Sequence, residues 1–136
     1  MFKTILVPID IANAGVSKSV IDIAATNGNA DTQIILLNVV EEIPKWAAVE
    51  LPHDIQEKSL QSAMAELNAI SQATDIKTEV EVRVGHPYHT ILEVAEEKKA
   101  ELIIIASHQP GLQDYLLGST AAKVVRHAKC SVMVFR

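Results

Sequence analysis

Five short runs of β-branched and aliphatic residues alternate with four stretches of helical spacing, and this alternation constrains the fold more than any other feature. The apolar runs are TILVPI at 4–9, QIILLNVV at 33–40, TEVEVRV at 78–84, ELIIIAS at 101–107 and SVMVF at 131–135. Helical periodicity occupies residues 16–27, 54–72, 88–98 and 119–128. Strands that alternate with helices predict parallel pairing through right-handed crossovers. We therefore expect an α/β fold with an open, doubly wound sheet of five parallel strands.

The apolar runs differ in how they distribute their side chains. The first, second and fourth runs are almost continuous in valine, isoleucine and leucine, which is typical of strands that helices cover on both faces. The third run alternates, with Val80, Val82 and Val84 on one side and charged residues on the other. We expect this third strand to lie at an edge of the sheet with one face in water.

Length and composition limit the classes of protein that the chain can represent. With 136 residues, of which 49% are hydrophobic and 21% charged, we expect one globular domain over residues 1–136. A formal charge of −5 argues against nucleic acid or an anionic membrane surface as a partner. The purest apolar run, LIIIA at 102–106, is far too short to cross a bilayer, so we expect no membrane insertion.

Two further features indicate the compartment. The N-terminal MFKTILVPID has a proline and an aspartate where a secretory signal would need a longer apolar core. Cys130 is the only cysteine, which excludes an internal disulfide and fits a reducing environment. Both features predict a cytoplasmic protein.

The residues at the strand ends predict where a ligand would bind. In an open parallel sheet the crevice lies beyond the carboxyl ends of the strands, where the strand order reverses. If the first and fourth strands are neighbours there, the crevice is formed by Pro8, Ile9, Asp10, Val39, Ile105, Ala106 and Ser107. The three larger aliphatic side chains, Ile9, Val39 and Ile105, can flank a flat ring. Asp10 is available to hydroxyl groups or to a metal ion.

The segment GST, residues 118–120, precedes the last helical pattern and has two interpretations. The backbone N–H groups of Gly118, Ser119 and Thr120, two hydroxyls and the positive end of the helix dipole together form an anion site. Alternatively, Ser119 serves only as the N-cap of the helix, as serine commonly does. The residues of this segment alone leave both interpretations open.

Other chemistries have weaker support in the sequence. Ser107 and His108 lack the Gly-x-Ser-x-Gly elbow of a serine hydrolase, and the five histidines show no paired zinc-ligand spacing. A phospho-accepting receiver domain needs an aspartate after its third strand, where this chain has Val84, Gly85 and His86. Neither a hydrolase nor a receiver is therefore expected.

Two isolated residues also invite interpretation. Trp46 lies in the long connection 41–53, either in a flap over the crevice or as a plug at the sheet edge or a partner surface. Cys130 precedes the last strand and is better explained as half-buried filler than as a reactive thiol, although a neighbouring lysine, Lys129, is a feature of low-pKa thiols.

Three stretches together resemble the universal stress protein family along the whole chain. They are ILVPID at the start, GHPYHTILEVAEEKKAELIIIASH in the middle and LLGSTAAKVVRHAKCSVMVFR at the end. The resemblance implies a three-layer α/β/α fold, like that of the adenine nucleotide alpha hydrolases, with strand order 3-2-1-4-5. It also implies a regulatory protein of the stress response that binds ATP, ADP or AMP, with Mg²⁺ as a candidate ion.

The ATP signature of this family is matched only in part. Its first two glycines correspond to Ala106 and Gln109, the third corresponds to Gly118, and Ser119 follows as the signature requires. The eight residues 110–117 between Gln109 and Gly118 are one fewer than in the signature. The resemblance implies three groups of contacts: Pro8, Ile9, Asp10 and Val39 for adenosine, Ala106, Ser107 and Gln109 for ribose and inner phosphates, and Gly118, Ser119 and Thr120 for outer phosphates.

The resemblance also suggests a homodimer through the last strand, 131–135, whose apolar edge would otherwise be open to pairing. The regulatory role implies a protein partner that the sequence does not identify. No general base is evident near the phosphate end, so we expect at most slow ATP hydrolysis. Two alternatives stay open: a nucleotide-free dimeric interaction protein with a degenerate pocket, and an enzyme that acts on a nucleotide-activated substrate.

Overall fold

Residues 1–107 and 118–136 are described by the computed structural model of the chain, apart from the side chains of residues 13 and 14. The strands in these ranges are β1 Thr4–Pro8, β2 Gln33–Glu41, β3 Glu79–Gly85, β4 Leu102–Ala106 and β5 Ser131–Phe135. The helices are α1 Ala14–Thr26, α2 Lys45–Ala48, α3 Ile55–Gln72, α4 Pro87–Glu97 and α5 Ser119–His127, with a 3-10 turn at Ile11–Asn13. The predicted alternation is confirmed, while α2 and the 3-10 turn were not predicted. None of the helices in these two ranges has the length and apolar character needed to cross a bilayer.

The strands form one parallel sheet in the order β3-β2-β1-β4-β5, which confirms the expected order. β1 is central, and its residue Ile5 lies opposite Ile34 of β2 and Leu102 of β4. The chain adds β2 and β3 on one side of β1 and then crosses to the other side for β4 and β5. Because crossovers are right-handed, this reversal places α1 and α3 on one face and α4 and α5 on the other.

Successive residues of the central strand enter two separate apolar layers. Ile5 and Val7 pack with residues of α1 and α3, while Leu6 between them packs with residues of α4 and α5. All three side chains are completely buried. A strand covered on both faces must be apolar at every position, which explains the continuous runs in the sequence. Burial of each such side chain stabilises the folded state by about 1.5–3 kcal/mol.

β3 lies at an edge of the sheet, as predicted, but its polar face is not simply solvated. On the valine face, Val80 and Val82 pack against the layer formed with α1 and α3, whereas Val84 is 39% exposed. On the other face, Arg83 Nη2 lies 2.8 Å from Glu81 Oε1 and 3.0 Å from Glu97 Oε1. The hydrogen bond from Arg83 lowers the pKa of the Glu97 carboxyl. The charged face of β3 is therefore paired with the end of α4.

Gly85 ends β3 at the point where the chain turns into α4. A Cβ atom at this position would overlap Oγ1 of Thr90, a buried residue in the first turn of α4. Because Thr90 is β-branched and held in a helix, its side chain has little freedom to move away. We expect Gly85→Ala to lower the free energy of unfolding by about 1–3 kcal/mol, as measured by urea denaturation.

Gly15→Ala is the matched control for this substitution. Apart from its chain neighbours and the backbone of its own helix, no heavy atom of the described residues lies within 4 Å of the position that its Cβ would occupy. Gly15 is the second residue of α1, so alanine should leave the free energy of unfolding unchanged or raise it by up to about 1 kcal/mol. Equal effects of the two substitutions would contradict the steric explanation for Gly85.

Candidate functional site

A cleft of about 410 Å³ opens at the carboxyl ends of β1, β2 and β4, where the strand order reverses. Its volume falls within the range of small-molecule sites, about 300–1,000 Å³. The lining residues come from the strand ends and from the first turns of α4 and α5. They are Pro8, Ile9, Asp10, Leu37, Asn38, Val39, Glu41, Pro87, Ile91, Ile105, Ala106, Ser107, Gly118, Ser119, Thr120 and Ala121.

Every predicted site residue that the structure describes lines this one cleft. Gln109 lies outside the described residues, as does His108. The lining residues that were not predicted are Leu37, Asn38, Glu41, Pro87, Ile91 and Ala121. Pro87 and Ile91 reach the cleft because α4 packs across the carboxyl half of the sheet, which is a tertiary contact without a local signal in the sequence.

The apolar part of the cleft is formed by Ile9, Val39 and Ile105. Ile9 and Ile105 are each only 5% exposed, and Val39 is half-buried. The backbone of Ile9 is fixed at both polar groups: its N–H donates to the carbonyl of Leu37 at 2.7 Å, and its carbonyl accepts from Asn38 Nδ2 at 2.8 Å. Asn38 thus holds the end of β1 against β2. In the sequence, Asn38 is distinguished only as an asparagine within the apolar run QIILLNVV.

Asp10 is exposed at the cleft. Its Oδ1 accepts a hydrogen bond from the backbone N–H of Ala12 at 3.1 Å. This contact begins the 3-10 turn and restrains the carboxylate. Within residues 1–107 and 118–136, no group of three or more histidine, cysteine, aspartate or glutamate side chains is arranged to hold a metal ion.

The start of α5 differs from the prediction in its capping residue. Gly118 is the N-cap, with an extended backbone at φ −63° and ψ 153°, and Ser119 is the first helical residue. The alternative in which Ser119 serves only as the N-cap is therefore wrong. The N–H of Ala122 bonds back to the carbonyl of Gly118 at 2.9 Å, so the N–H groups of Ser119, Thr120 and Ala121 have no acceptor within the helix. With the helix dipole they give this end of the cleft a positive potential.

Ser107 joins the end of β4 to the start of α5. Its Oγ accepts a hydrogen bond from the N–H of Gly118 at 2.8 Å, and its own N–H donates to the carbonyl of Phe135 at 2.8 Å. The N–H of Gly118 is thus satisfied inside the protein, so the prediction that it is free for an anion is wrong. Ser107 is a positioning residue, because it fixes the first turn of α5 relative to β4.

Trp46 lies on the short helix α2 and is 80% exposed. It is not among the residues that line the cleft. The indole therefore neither covers the crevice nor plugs the sheet edge in this structure.

Cys130 is half-buried, which agrees with its interpretation as filler. Burial raises the pKa of its thiol, and this disfavours the reactive thiolate. The neighbouring Lys129 does not activate it, because Lys129 Nζ pairs with Glu96 Oε1 at 3.2 Å.

The fold is that of an open α/β protein with a cleft at the switch point of its sheet. The sequence profile of the Universal stress protein family matches residues 1–136. Universal stress protein G of Escherichia coli O157:H7 is 30% identical over 142 aligned positions, which cover 100% of both chains. The chain belongs to the universal stress protein family, as the resemblance of its sequence indicated.

Two solved structures share the fold. The hypothetical protein MJ0577 superposes with a TM-score of 0.81 at 24% identity, over 98% of this chain and 95% of that chain. A universal stress protein crystallised in complex with cAMP superposes with a TM-score of 0.66 at 24% identity, over 99% of this chain and 97% of that chain. At these identities the superpositions establish a common architecture.

The hydrogen bond between Ser107 and Gly118 gives a direct test of how the cleft is held together. Gly118 is buried, so Ser107→Ala leaves a buried N–H without its acceptor. We expect the free energy of unfolding to fall by about 1–3 kcal/mol in urea denaturation. Ser131→Ala, at an exposed position of β5, is the control and should change it by less than about 0.5 kcal/mol. A loss of similar size at Ser131 would show that the Ser107 bond has no special role.

Proposed function

We propose that the chain binds an adenine nucleotide in this cleft and acts as a nucleotide-dependent regulator of the stress response rather than as an efficient enzyme. The observation that carries the proposal is that a buried aliphatic surface and the N-terminus of α5 line the same cleft. The first suits the faces of a flat base, and the second suits a phosphate group.

We assign the contacts with the base, the ribose and the phosphate from the chemistry of the lining residues. Ile9, Val39 and Ile105 pack against the base, and the carboxylate of Asp10 accepts hydrogen bonds from ribose hydroxyls. The N–H groups of Ser119 and Thr120 donate to phosphate oxygens. The structure of a related protein with cAMP, which shares this fold, supports an adenine nucleotide as the ligand.

A regulatory role is favoured over catalysis by the placement of the ionisable side chains. Among the described lining residues only Asp10 and Glu41 can act as a general base, and they lie after β1 and at the end of β2. Neither belongs to α5, which supplies the phosphate contacts. Among the described lining residues, α5 therefore supplies no general base beside its phosphate contacts, which supports at most slow turnover.

Thermal unfolding with and without nucleotide tests the proposal. A ligand at about a hundredfold excess over its Kd stabilises the folded state by about 2.7 kcal/mol. We expect millimolar adenine nucleotide to raise the Tm of the wild type, and Ser119→Glu to abolish this rise, because the added carboxylate repels phosphate. An acidic residue in the first turn of a helix is itself favourable, so the unliganded Tm should not fall.

Ser62→Glu places the same charge at an exposed residue of α3, and it should retain the nucleotide-dependent rise in Tm. No rise for the wild type with any adenine nucleotide would contradict the proposal. That outcome would favour the nucleotide-free interaction protein instead.

We also propose that two copies pair through β5. Phe135 accepts a hydrogen bond from Ser107 on the β4 side. Because the polar groups of successive residues alternate across a strand, those of Val132 and Val134 face the outer edge of the sheet. An edge of this kind is a template for a second strand, and an antiparallel pairing of two copies would satisfy it.

Val134→Pro tests this pairing, because it removes one outward N–H while leaving the bonds to β4 in place. We expect the wild type to elute as a dimer and Val134→Pro as a folded monomer in size-exclusion chromatography with light scattering. Val125→Ala is the control, since Val125 is an exposed apolar residue on α5, and it should leave the dimer intact. A dimer that persists in Val134→Pro would place the interface elsewhere.

A further inference from the structure

We propose that the cleft selects adenine nucleotides with a single phosphate group and that it binds ATP well only together with a divalent cation. This inference rests on the proposed function and specifies the class of ligand for the same site. It follows from the charges of the lining residues that the structure describes and from the hydrogen-bond donors at the start of α5.

The charged side chains that line the cleft within the described ranges are acidic. Asp10 and Glu41 contribute carboxylates, and none of the lining residues within the described ranges is a lysine or an arginine. The segment 108–117, which connects β4 to α5, also contains no lysine or arginine in its sequence, and it contains Asp114. A phosphate group bound here is therefore not neutralised by a permanently cationic side chain from these residues.

The lysine of α5 is Lys123, which lies one turn after Thr120. Its Nζ lies 4.9 Å from the centroid of the Tyr88 ring. This cation–π contact holds the ammonium over α4, and Lys123 is not among the lining residues. The helix therefore attracts a phosphate through its dipole and N–H groups rather than through this cation.

Several donors of the cleft are already used within the protein. The amide of Asn38 donates to the carbonyl of Ile9, and the N–H of Gly118 donates to Ser107. The backbone donors that α5 leaves available are the N–H groups of its first three residues, Ser119, Thr120 and Ala121. One phosphate group presents three terminal oxygens, which these N–H groups and the hydroxyls of Ser119 and Thr120 can contact at the start of α5.

Each further phosphate of ADP or ATP adds negative charge to a cleft that already carries two carboxylates. Like charges about 10 Å apart in a medium of effective dielectric constant near 20 change affinity on the order of tenfold. Mg²⁺ bound together with ATP would neutralise part of the phosphate charge and so remove most of this repulsion. The affinity for ATP is therefore expected to depend on the metal, whereas the affinity for AMP is not.

Isothermal titration calorimetry at low ionic strength separates these cases, with AMP and ATP each titrated in EDTA and then in excess Mg²⁺. In EDTA we expect AMP to bind at least about tenfold more tightly than ATP. Mg²⁺ should improve the binding of ATP and leave that of AMP unchanged. Equal or tighter binding of ATP in EDTA would overturn the inference and leave adenine nucleotide binding intact. If neither nucleotide binds under any condition, the proposed function fails as well.

Glu41→Gln tests the electrostatic cause directly. Removal of this charge should strengthen ATP binding in EDTA by about threefold to tenfold more than it strengthens AMP binding. Glu42→Gln is the charge-matched control, because Glu42 is the adjacent exposed residue and does not line the cleft. The preference for AMP should persist in Glu42→Gln. A similar loss of preference in both variants would overturn the assignment of selectivity to the charge of the cleft.

Discussion

β1 pairs with β2 on one side and with β4 on the other, and the positions of the other elements follow from this double pairing. It requires the chain to cross the sheet after β3, and right-handed crossovers then place the helix pairs on opposite faces. The same reversal separates α1 from α5 above the ends of β1 and β4, which opens the cleft. The core and the site thus have one common cause.

The walls of the cleft are held by contacts that involve few side chains. Asn38 fixes the end of β1 to β2, and Ser107 fixes the start of α5 to the end of β4. Both use a side chain to satisfy a backbone group, so the geometry of the site is set by strand ends that the sheet already holds rigid. The backbone groups at the cleft are therefore positioned by contacts between elements rather than by the lining side chains alone.

The departures from the family's nucleotide signature fall on Ala106 and Gln109, while Gly118 and Ser119 retain it. Gly118 and Ser119 lie at the start of α5, where the first N–H groups of the helix have no acceptor within it. Asp10 and Glu41 place two carboxylates in the lining of the same cleft. The selectivity proposed above combines these two features of the cleft.

The sequence by itself determined the order of elements, because the periods of apolar residues distinguish strands from helices and continuous runs require covered strands. It also indicated most of the strand-end residues at the cleft, since parallel strands present their carboxyl ends at one edge. Only the tertiary structure decided that Gly118 rather than Ser119 caps α5. It also showed that the N–H of Gly118, which was expected to be free, donates a hydrogen bond to Ser107 Oγ. It also brought Glu41 and Ile91 into the cleft. These features depend on distances between segments far apart in the chain, and local residue patterns carry no information about such distances.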